Sequence, residues 1–169
     1  MALKLTQKQS ELIGIARELG RDRFQHRAAE YDREAKFPTE NFEDLRDAGF
    51  LALTIPERYG GLGADYQTYA LTSAEIGRWC GATALTLHMH SCAMMWSGQM
   101  ADDLPMTEAE RTEHEQRRSK VYESVVGEGT IFAQPFSEPD SRAAAGKAPF
   151  GTTAGKVEGG WLVHGRKPV

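Results

Sequence analysis

The spacing of apolar residues changes near Gly127, and this change constrains the fold more than any other feature. Before it, apolar side chains recur every three to four residues, the spacing that places them on one face of an α-helix. After it, short runs of β-branched and aromatic residues alternate with glycines, which is typical of strands and turns. The sequence therefore predicts a helical domain over residues 1–127 and a β-domain over 128–169.

Capping residues indicate where the first helices begin. Thr6 and Gln9 have the residue types of a capping box, at the start of a helix predicted over residues 6–34. Phe37-Pro38 breaks this helix, and Thr39 is expected to cap the second one. Both helices carry apolar side chains on one face, so we expect both to pack against a shared core.

Three further features complete the central part of the predicted helical domain. Residues 50–56 are apolar and are expected to be extended, and residues 59–63 hold three glycines and predict a turn. Asp65 is expected to cap a third helix that ends at Gly81. A fourth helix, over residues 83–100, is apolar almost all round and is therefore predicted to be central.

The end of the chain combines one more helix with a β pattern. Thr107 and Glu110 form a second capping box, ahead of a charged helix that runs to about Val126 and is expected to be exposed. Residues 130–133 have strand character, and residues 152–164 read as a hairpin. The fold class is therefore mainly α, with about five helices followed by an incomplete β-domain.

Composition excludes several classes of function. The net charge is −4 and no basic stripe is present, so the sequence gives no electrostatic case for nucleic-acid binding. Cys80 and Cys92 are the only cysteines, which favours a reducing, cytoplasmic setting. The first residues lead directly into a charged helical pattern, so no signal peptide is expected. No apolar run reaches the roughly 18 residues of a membrane span.

Five short motifs follow one another along nearly the whole chain. In order, they are Phe37-Pro38 before a helix ending Ala48-Gly49-Phe50, then Ile55-Pro56-Glu57-Arg58-Tyr59-Gly60-Gly61-Leu62-Gly63, Ala74-Glu75-Ile76-Gly77, Phe136-Ser137-Glu138-Pro139 and Glu158-Gly159-Gly160-Trp161-Leu162-Val163-His164-Gly165-Arg166-Lys167. This order resembles the acyl-CoA dehydrogenase family of flavoproteins. The resemblance implies an orthogonal N-terminal helical bundle, a middle β-domain and a C-terminal helical bundle, with FAD between the last two.

The resemblance also implies a reaction and a cofactor site. Members remove the α-proton of an acyl-CoA thioester with a carboxylate base, while the β-hydrogen leaves as hydride to the flavin. In the implied FAD site, Gln134, Phe136 and Ser137 match the segment that lies against the isoalloxazine. An electron-transfer partner and a homo-oligomeric assembly are implied for the full-length relative.

The fourth helix is expected to line the acyl pocket of such an enzyme. By register, the substrate-side residues are Ala84, Leu87, His88, Ser91 and Cys92. Apolar residues there also fit a plain core, and a histidine on an apolar helix is often a satisfied core histidine. The alternative is a polar group at the pocket floor, for a substrate with a polar or aromatic end. His88 and Cys92 alone do not complete a zinc site, so no metal is predicted.

Two parts of the chain depart from the family pattern. The Gly-Ser-Asp element expected after Pro139 is replaced by residues 140–146, where Ser141 is the candidate substrate contact and a plain surface loop is the alternative. Lys167 is followed by Pro168 and Val169 rather than by the expected aromatic and hydroxyl residues. The implied base and C-terminal bundle lie outside the chain, so we expect an N-terminal fragment that is not a competent catalyst.

Three other functions stay open at this point. A flavin-dependent monooxygenase of the same fold would use reduced flavin and oxygen. A DNA-associated branch of the family is disfavoured by the acidic balance of the chain. A non-catalytic helical module would bind a partner through apolar helix faces, which exposed apolar patches would reveal.

Overall fold

The computed structural model of the chain describes residues 4–139 and 146–167, without the side chains of Gln99 and Met100. The chain divides into two compact units, the first ending at Phe132 and the second beginning at Ala133. The first unit is helical and the second contains a β-hairpin. The predicted domain boundary at residue 127 stays a prediction.

Five long helices make up the first unit, as predicted. α1, a π-helical turn and α2 follow one another without a break and form the long first helix. One four-residue helix, α6, and two 3-10 turns complete the described elements of this unit. The bounds are α1 Gln7–Leu19, the π turn Gly20–Phe24, α2 Gln25–Glu34, α3 Thr39–Asp47, the 3-10 turns Phe50–Ala52 and Glu57–Tyr59, α4 Tyr66–Gly77, α5 Gly81–Ser97, α6 Gln99–Asp102 and α7 Glu108–Glu128.

Most of the predicted helix caps are confirmed. Thr6 and Thr107 each form a capping box, and the Asp65 carboxylate accepts the Thr68 amide proton at 2.8 Å. The prediction for Thr39 is wrong, because Pro38 occupies the N-cap position and Thr39 is the first helical residue. The carbonyl of Pro38 already accepts the first amide protons of α3, so the helix begins one residue earlier than a threonine cap requires.

The turn between α4 and α5 also differs from the prediction. α4 ends at Gly77, and Gly81 is the first residue of α5 rather than the last residue of α4. The amides of Trp79 and Cys80 both donate to the carbonyl of Ile76, which tightens the chain into a turn. The indole of Trp79 then lies against Gly20 in the π turn, so the loop is fixed by packing that local sequence does not encode.

Residues 50–55 are buried but not extended, so the predicted extended segment is wrong. Three hydrogen bonds join this segment to the glycine-rich one. The amide of Leu62 donates to Ala52, that of Gly63 to Ile55, and that of Ala64 to Leu53. The two segments therefore fold back on each other. Gly61 allows this close approach, because a Cβ atom there would lie 2.1 Å from the carbonyl oxygen of Ile55.

The burial of the later helices is less uniform than the sequence suggests. On α4, Thr68, Tyr69, Thr72, Glu75 and Ile76 form the buried face, and the predicted apolar positions Tyr66, Ala70 and Ala74 are exposed. α5 is buried along one face only, so it is not central on all sides as predicted. α7 is not wholly exposed either, because three side chains on its inner face are buried, namely Arg118, Tyr122 and Val125.

Buried charged side chains in the first unit are paired. Arg118 is 2% exposed and its guanidinium contacts Asp102 at 2.5 Å, Glu115, and the ring of Tyr59. Glu75 receives two hydrogen bonds from Arg17, at 3.1 and 3.3 Å. Pairing of this kind offsets the cost of removing charge from water.

None of the helices in the described part of the chain has both the length and the apolar character that a membrane span requires.

The second unit contains the predicted hairpin. β1 Thr153–Val157 pairs antiparallel with β2 Gly160–His164, with Ala154 opposite Val163. Gly159 takes a positive φ of 82° in the turn, which suits glycine. Residues 130–133 form no strand, so that prediction is wrong; the amide of Phe132 instead donates to the side chain of His90. Both faces of the hairpin are exposed.

Candidate functional site

α5 carries the side chains that the sequence predicts for an acyl pocket. Leu87 and Ser91 are buried, whereas Ala84, His88 and Cys92 are half-buried. The second group is spaced by four residues, so it forms one stripe along the helix. The predicted substrate-side residues therefore lie on two adjacent stripes of α5. The stripe of Leu87 and Ser91 faces the core, and the half-buried stripe of Ala84, His88 and Cys92 is the one that a ligand can reach.

His88 is held by a neighbouring helix. The hydroxyl of Tyr69 on α4 is hydrogen bonded to Nδ1 of His88, and the two rings stack with centroids 5.8 Å apart. Nε2 lies 3.5 Å from the Sγ atom of Cys92. With the phenol donating to Nδ1, a neutral imidazole carries its proton on Nε2. In this tautomer, the N–H group of His88 lies beside the Cys92 thiol, whose pKa is raised by burial.

A second histidine on α5 has a different role. His90 is fully buried, its Nδ1 accepts the amide proton of Phe132 at 3.0 Å, and its Nε2 lies 2.8 Å from the carbonyl of Leu51. An amide can only donate, so the imidazole is neutral and donates from Nε2 to Leu51. Burial lowers the pKa of His90, which favours this neutral form. His90 joins α5 to the last residue of the first unit.

The outer side of α5 is apolar. Leu85, Met89 and Trp96 are 63%, 36% and 47% exposed, and their spacing of four and seven residues places them along one side of the helix. Isolated apolar side chains are common on protein surfaces, but an aligned series on one helix indicates a contact surface.

The predicted flavin-binding residues lie at the start of the second unit. Gln134 is half-buried, and its side-chain Nε2 is buried with no hydrogen-bond partner among the residues that the structure describes. Phe136 is 49% exposed and its amide donates to the carbonyl of Gln134 at 2.9 Å, which makes a tight turn. Ser137 is exposed. A buried amide donor without a partner, next to an exposed aromatic ring, fits the polar edge and flat face of a flavin.

Glu138 is a feature of this segment that the sequence did not reveal. Its carboxylate is buried and accepts protons from the amides of Gly151 and Thr152, from the Thr152 hydroxyl and from the ammonium of Lys167. These hydrogen bonds, with Lys167 first among them, lower the pKa of Glu138 to about 2. No local pattern predicts this role, because all three partner residues are more than ten positions away in the chain.

Two other predicted features need separate mention. Ser141, the candidate substrate contact of the loop, lies outside the described residues. Across residues 4–139 and 146–167, no group of three or more His, Cys, Asp or Glu side chains is placed to hold a metal ion.

Several solved structures with different named activities share this fold. Butyryl-CoA dehydrogenase from Megasphaera elsdenii superimposes with a TM-score of 0.72 at 22% identity, over 99% of this chain and 41% of that one. Methanesulfinate monooxygenase MsuC from Pseudomonas fluorescens superimposes with a TM-score of 0.64 at 21% identity, over 97% and 35%. Other similar structures are described as FMN-bound and FAD complexes. The fold is therefore that of the N-terminal part of acyl-CoA dehydrogenase-like proteins.

Sequence comparison identifies the family itself. Residues 6–101 match the profile of the acyl-CoA dehydrogenase N-terminal domain. The Bacillus subtilis protein YdbM, whose name assigns it to the acyl-CoA dehydrogenases, is 30% identical over 149 residues, which cover 86% of this chain and 35% of YdbM. This chain belongs to the acyl-CoA dehydrogenase family, and it spans about a third of the length of that relative.

Proposed function

We propose that this chain is the N-terminal part of a flavin-dependent acyl-CoA dehydrogenase, with FAD as its cofactor. The match of residues 6–101 to the family's N-terminal domain carries the proposal. The unpartnered amide of Gln134 supports it, since this donor lies in the segment where the family resemblance expects the flavin. The whole enzyme would act on an acyl-CoA, pass electrons to an electron-transfer partner and assemble as a homo-oligomer in the cytoplasm.

The cofactor-side residues have distinct parts in this proposal. Gln134 and Ser137 supply a side-chain amide and a hydroxyl for the polar edge of the isoalloxazine. Phe136 supplies an exposed ring for its apolar face. Bound FAD would supply the hydride acceptor, and the protein would supply position. The carboxylate base that removes the α-proton lies, on this proposal, outside the chain.

The substrate-side residues lie on α5. On this proposal, Ala84 would lie beside the acyl group, with the buried Leu87 and Ser91 packed behind it. His88 and Cys92 would meet the part of the acyl group that carries a polar atom, because the hydrogen bond to Tyr69 holds the His88 ring in place next to the Cys92 thiol. Ser141 stays a proposed substrate contact from the loop.

Titration of the purified chain with FAD tests the proposal. We expect saturable binding, with quenched flavin fluorescence, and no turnover of butyryl-CoA with an artificial electron acceptor. Replacing Ser137 by Ala removes one hydrogen bond and should raise the Kd for FAD about 3- to 10-fold. Ser10→Ala, which alters an exposed serine of α1, is the matched control and should bind FAD like the parent chain.

Two results would contradict this proposal. Absence of FAD binding up to millimolar concentration would remove the cofactor role of residues 134–137 in this chain. Sustained oxidation of butyryl-CoA would show that the base is not missing.

A monooxygenase is the second candidate, because the polar Tyr69–His88–Cys92 cluster differs from a purely apolar wall. The similar fold of a methanesulfinate monooxygenase is compatible with it. A chain loaded with reduced flavin that consumes oxygen faster when a sulfinate or an aromatic substrate is added would favour this candidate. Unchanged oxygen uptake would favour the dehydrogenase.

A further inference from the structure

Glu138 joins three separate segments of the second unit. It directly follows the proposed flavin segment in the chain. Its carboxylate contacts the two residues before β1 and also Lys167, three positions after the end of β2. The amide nitrogens of Gly151 and Thr152 donate to its two oxygens, at 2.6 and 3.0 Å. The Thr152 hydroxyl and Nζ of Lys167 contact one oxygen at 2.5 and 2.8 Å.

The chemistry of these contacts requires a carboxylate. All four partners are donors, and an ionised carboxylate is a group that only accepts. Charge-assisted hydrogen bonds of this kind are the stronger class. The depressed pKa keeps Glu138 ionised throughout the neutral range. A glutamine of nearly the same shape would place an amide NH₂ against at least one of these donors.

Packing around the carboxylate leaves little freedom. Glu138 is 7% exposed, and a Cβ atom on Gly151 would lie 3.4 Å from Oε2. Gly165 passes close to Thr152, because a Cβ atom on Gly165 would lie 2.3 Å from the hydroxyl oxygen of Thr152. Lys167 also lies over the ring of Phe150, 4.9 Å from its centroid. The network is therefore a built feature of this unit rather than a surface ion pair.

We propose that Glu138 is a positioning residue for the flavin site: its carboxylate fixes the backbone that presents Gln134, Phe136 and Ser137 to FAD. This inference rests on the proposed function, since it assigns Glu138 a part in the same site. The side chain touches no cofactor atom on this proposal. It acts through the adjacent peptide of Ser137, whose direction is set once Glu138 is anchored at three places.

Four variants separate this role from a simple ion pair. In Glu138→Gln, the Kd for FAD should rise about tenfold or more, because buried donors lose their acceptor. Lys167→Arg keeps a cation and should bind FAD within about twofold of the parent chain. The exchanged pair Glu138→Lys with Lys167→Glu keeps opposite charges but leaves both amides facing a cation, so it should not restore binding. Lys156→Ala, in exposed β1, is the neutral control.

Readouts other than affinity distinguish positioning from general stability. Bound FAD in Glu138→Gln should show a smaller fluorescence quench at saturation, because the ring is less fixed. Circular dichroism at 222 nm should be unchanged, since the helices belong to the other unit. Recovery of FAD binding by the exchanged pair would overturn the proposal and leave only an ion pair.

Amide hydrogen exchange keeps the inference testable if the parent chain fails to bind FAD. That failure would remove the proposed cofactor role. The positioning role then predicts that Glu138→Gln speeds exchange at Gly151 and Thr152 and also at Phe136, whose amide donates to Gln134, at least tenfold relative to the parent. Faster exchange at Gly151 and Thr152 alone, or no change at all, would overturn it.

Discussion

At the scale of single residues, two histidines two positions apart on α5 have opposite characters. His90 is fully buried with both nitrogens satisfied, whereas His88 is half-buried and paired with Tyr69. The sequence shows only two histidines on an apolar helix, so it cannot tell which of them is structural. The distinction depends on Leu51 and Phe132, which are about 40 positions away in the chain.

His90 should make stability depend on pH. Its pKa is held below the ordinary value of 6.5, so the unfolded chain binds a proton more readily than the folded one. The contribution of His90 to the free energy of unfolding is therefore complete above about pH 6.5. It is lost as the pH falls further, and the free energy of unfolding then decreases by at most about 1.4 kcal/mol per pH unit. Urea unfolding between pH 7.5 and 5 measures this slope.

His90→Gln provides the comparison, because glutamine has a donor and an acceptor but does not titrate in this range. The variant should lose this part of the pH dependence. Replacing the exposed His26 by Gln should leave the dependence intact. An identical pH dependence in the parent and in His90→Gln would show that His90 is not responsible.

At the scale of helices, capping chemistry predicted more of the fold than apolar patterns did. The caps at Thr6, Asp65 and Thr107 are local, and all three are confirmed. The burial of α5 and α7 depends on which neighbours cover each face, and apolar content alone misjudged both helices. The candidate site divides in the same way, since Phe136, Ser137 and Glu138 belong to a motif, but the contacts of Glu138 are made with distant partners that the motif does not show.

Packing of the first helix against the α4–α5 turn depends on one glycine. A Cβ atom on Gly20 would lie 2.0 Å from the indole of Trp79, whose Nε1 donates to Glu75 at 3.4 Å. Gly20→Ala should therefore lower the free energy of unfolding by about 1–3 kcal/mol through overpacking. Urea denaturation followed by circular dichroism measures the loss.

Gly14→Ala is the matched control in the same helix. Nothing lies within 4 Å of a Cβ atom at this position, so the helix propensity of alanine should add about 0.5–1 kcal/mol. Equal effects of the two substitutions would mean that Trp79 does not occupy this position in solution.

At the scale of the whole molecule, both units expose apolar surface. Trp161, Leu162 and Val163 on β2 are 65%, 52% and 62% exposed, and the two-stranded sheet has two open edges. An isolated hairpin is marginal in water, and open apolar strands pair readily with other strands. The exposed side of α5 adds a second apolar surface.

We therefore expect the purified chain to self-associate as its concentration rises. Sedimentation velocity between about 1 and 100 μM should show a growing dimeric or larger fraction. Replacing both Trp161 and Val163 by Thr should shift that fraction to higher concentration, because it removes apolar area while keeping strand propensity. Lys156→Ala is the control on β1. A chain that stays monomeric over this range would contradict the expectation.

The π-helical turn Gly20–Phe24 sets the rotational phase of the long first helix. Ala16, Gly20 and Phe24 are all buried, yet side chains spaced by four residues drift about 40° per step around a uniform α-helix. A π turn winds more slowly, so it offsets this drift. Deleting one residue from the turn would rotate Leu12 and Ala16 by about 100° relative to Tyr31, away from the core. The length of this helix is therefore fixed to a single residue at this turn.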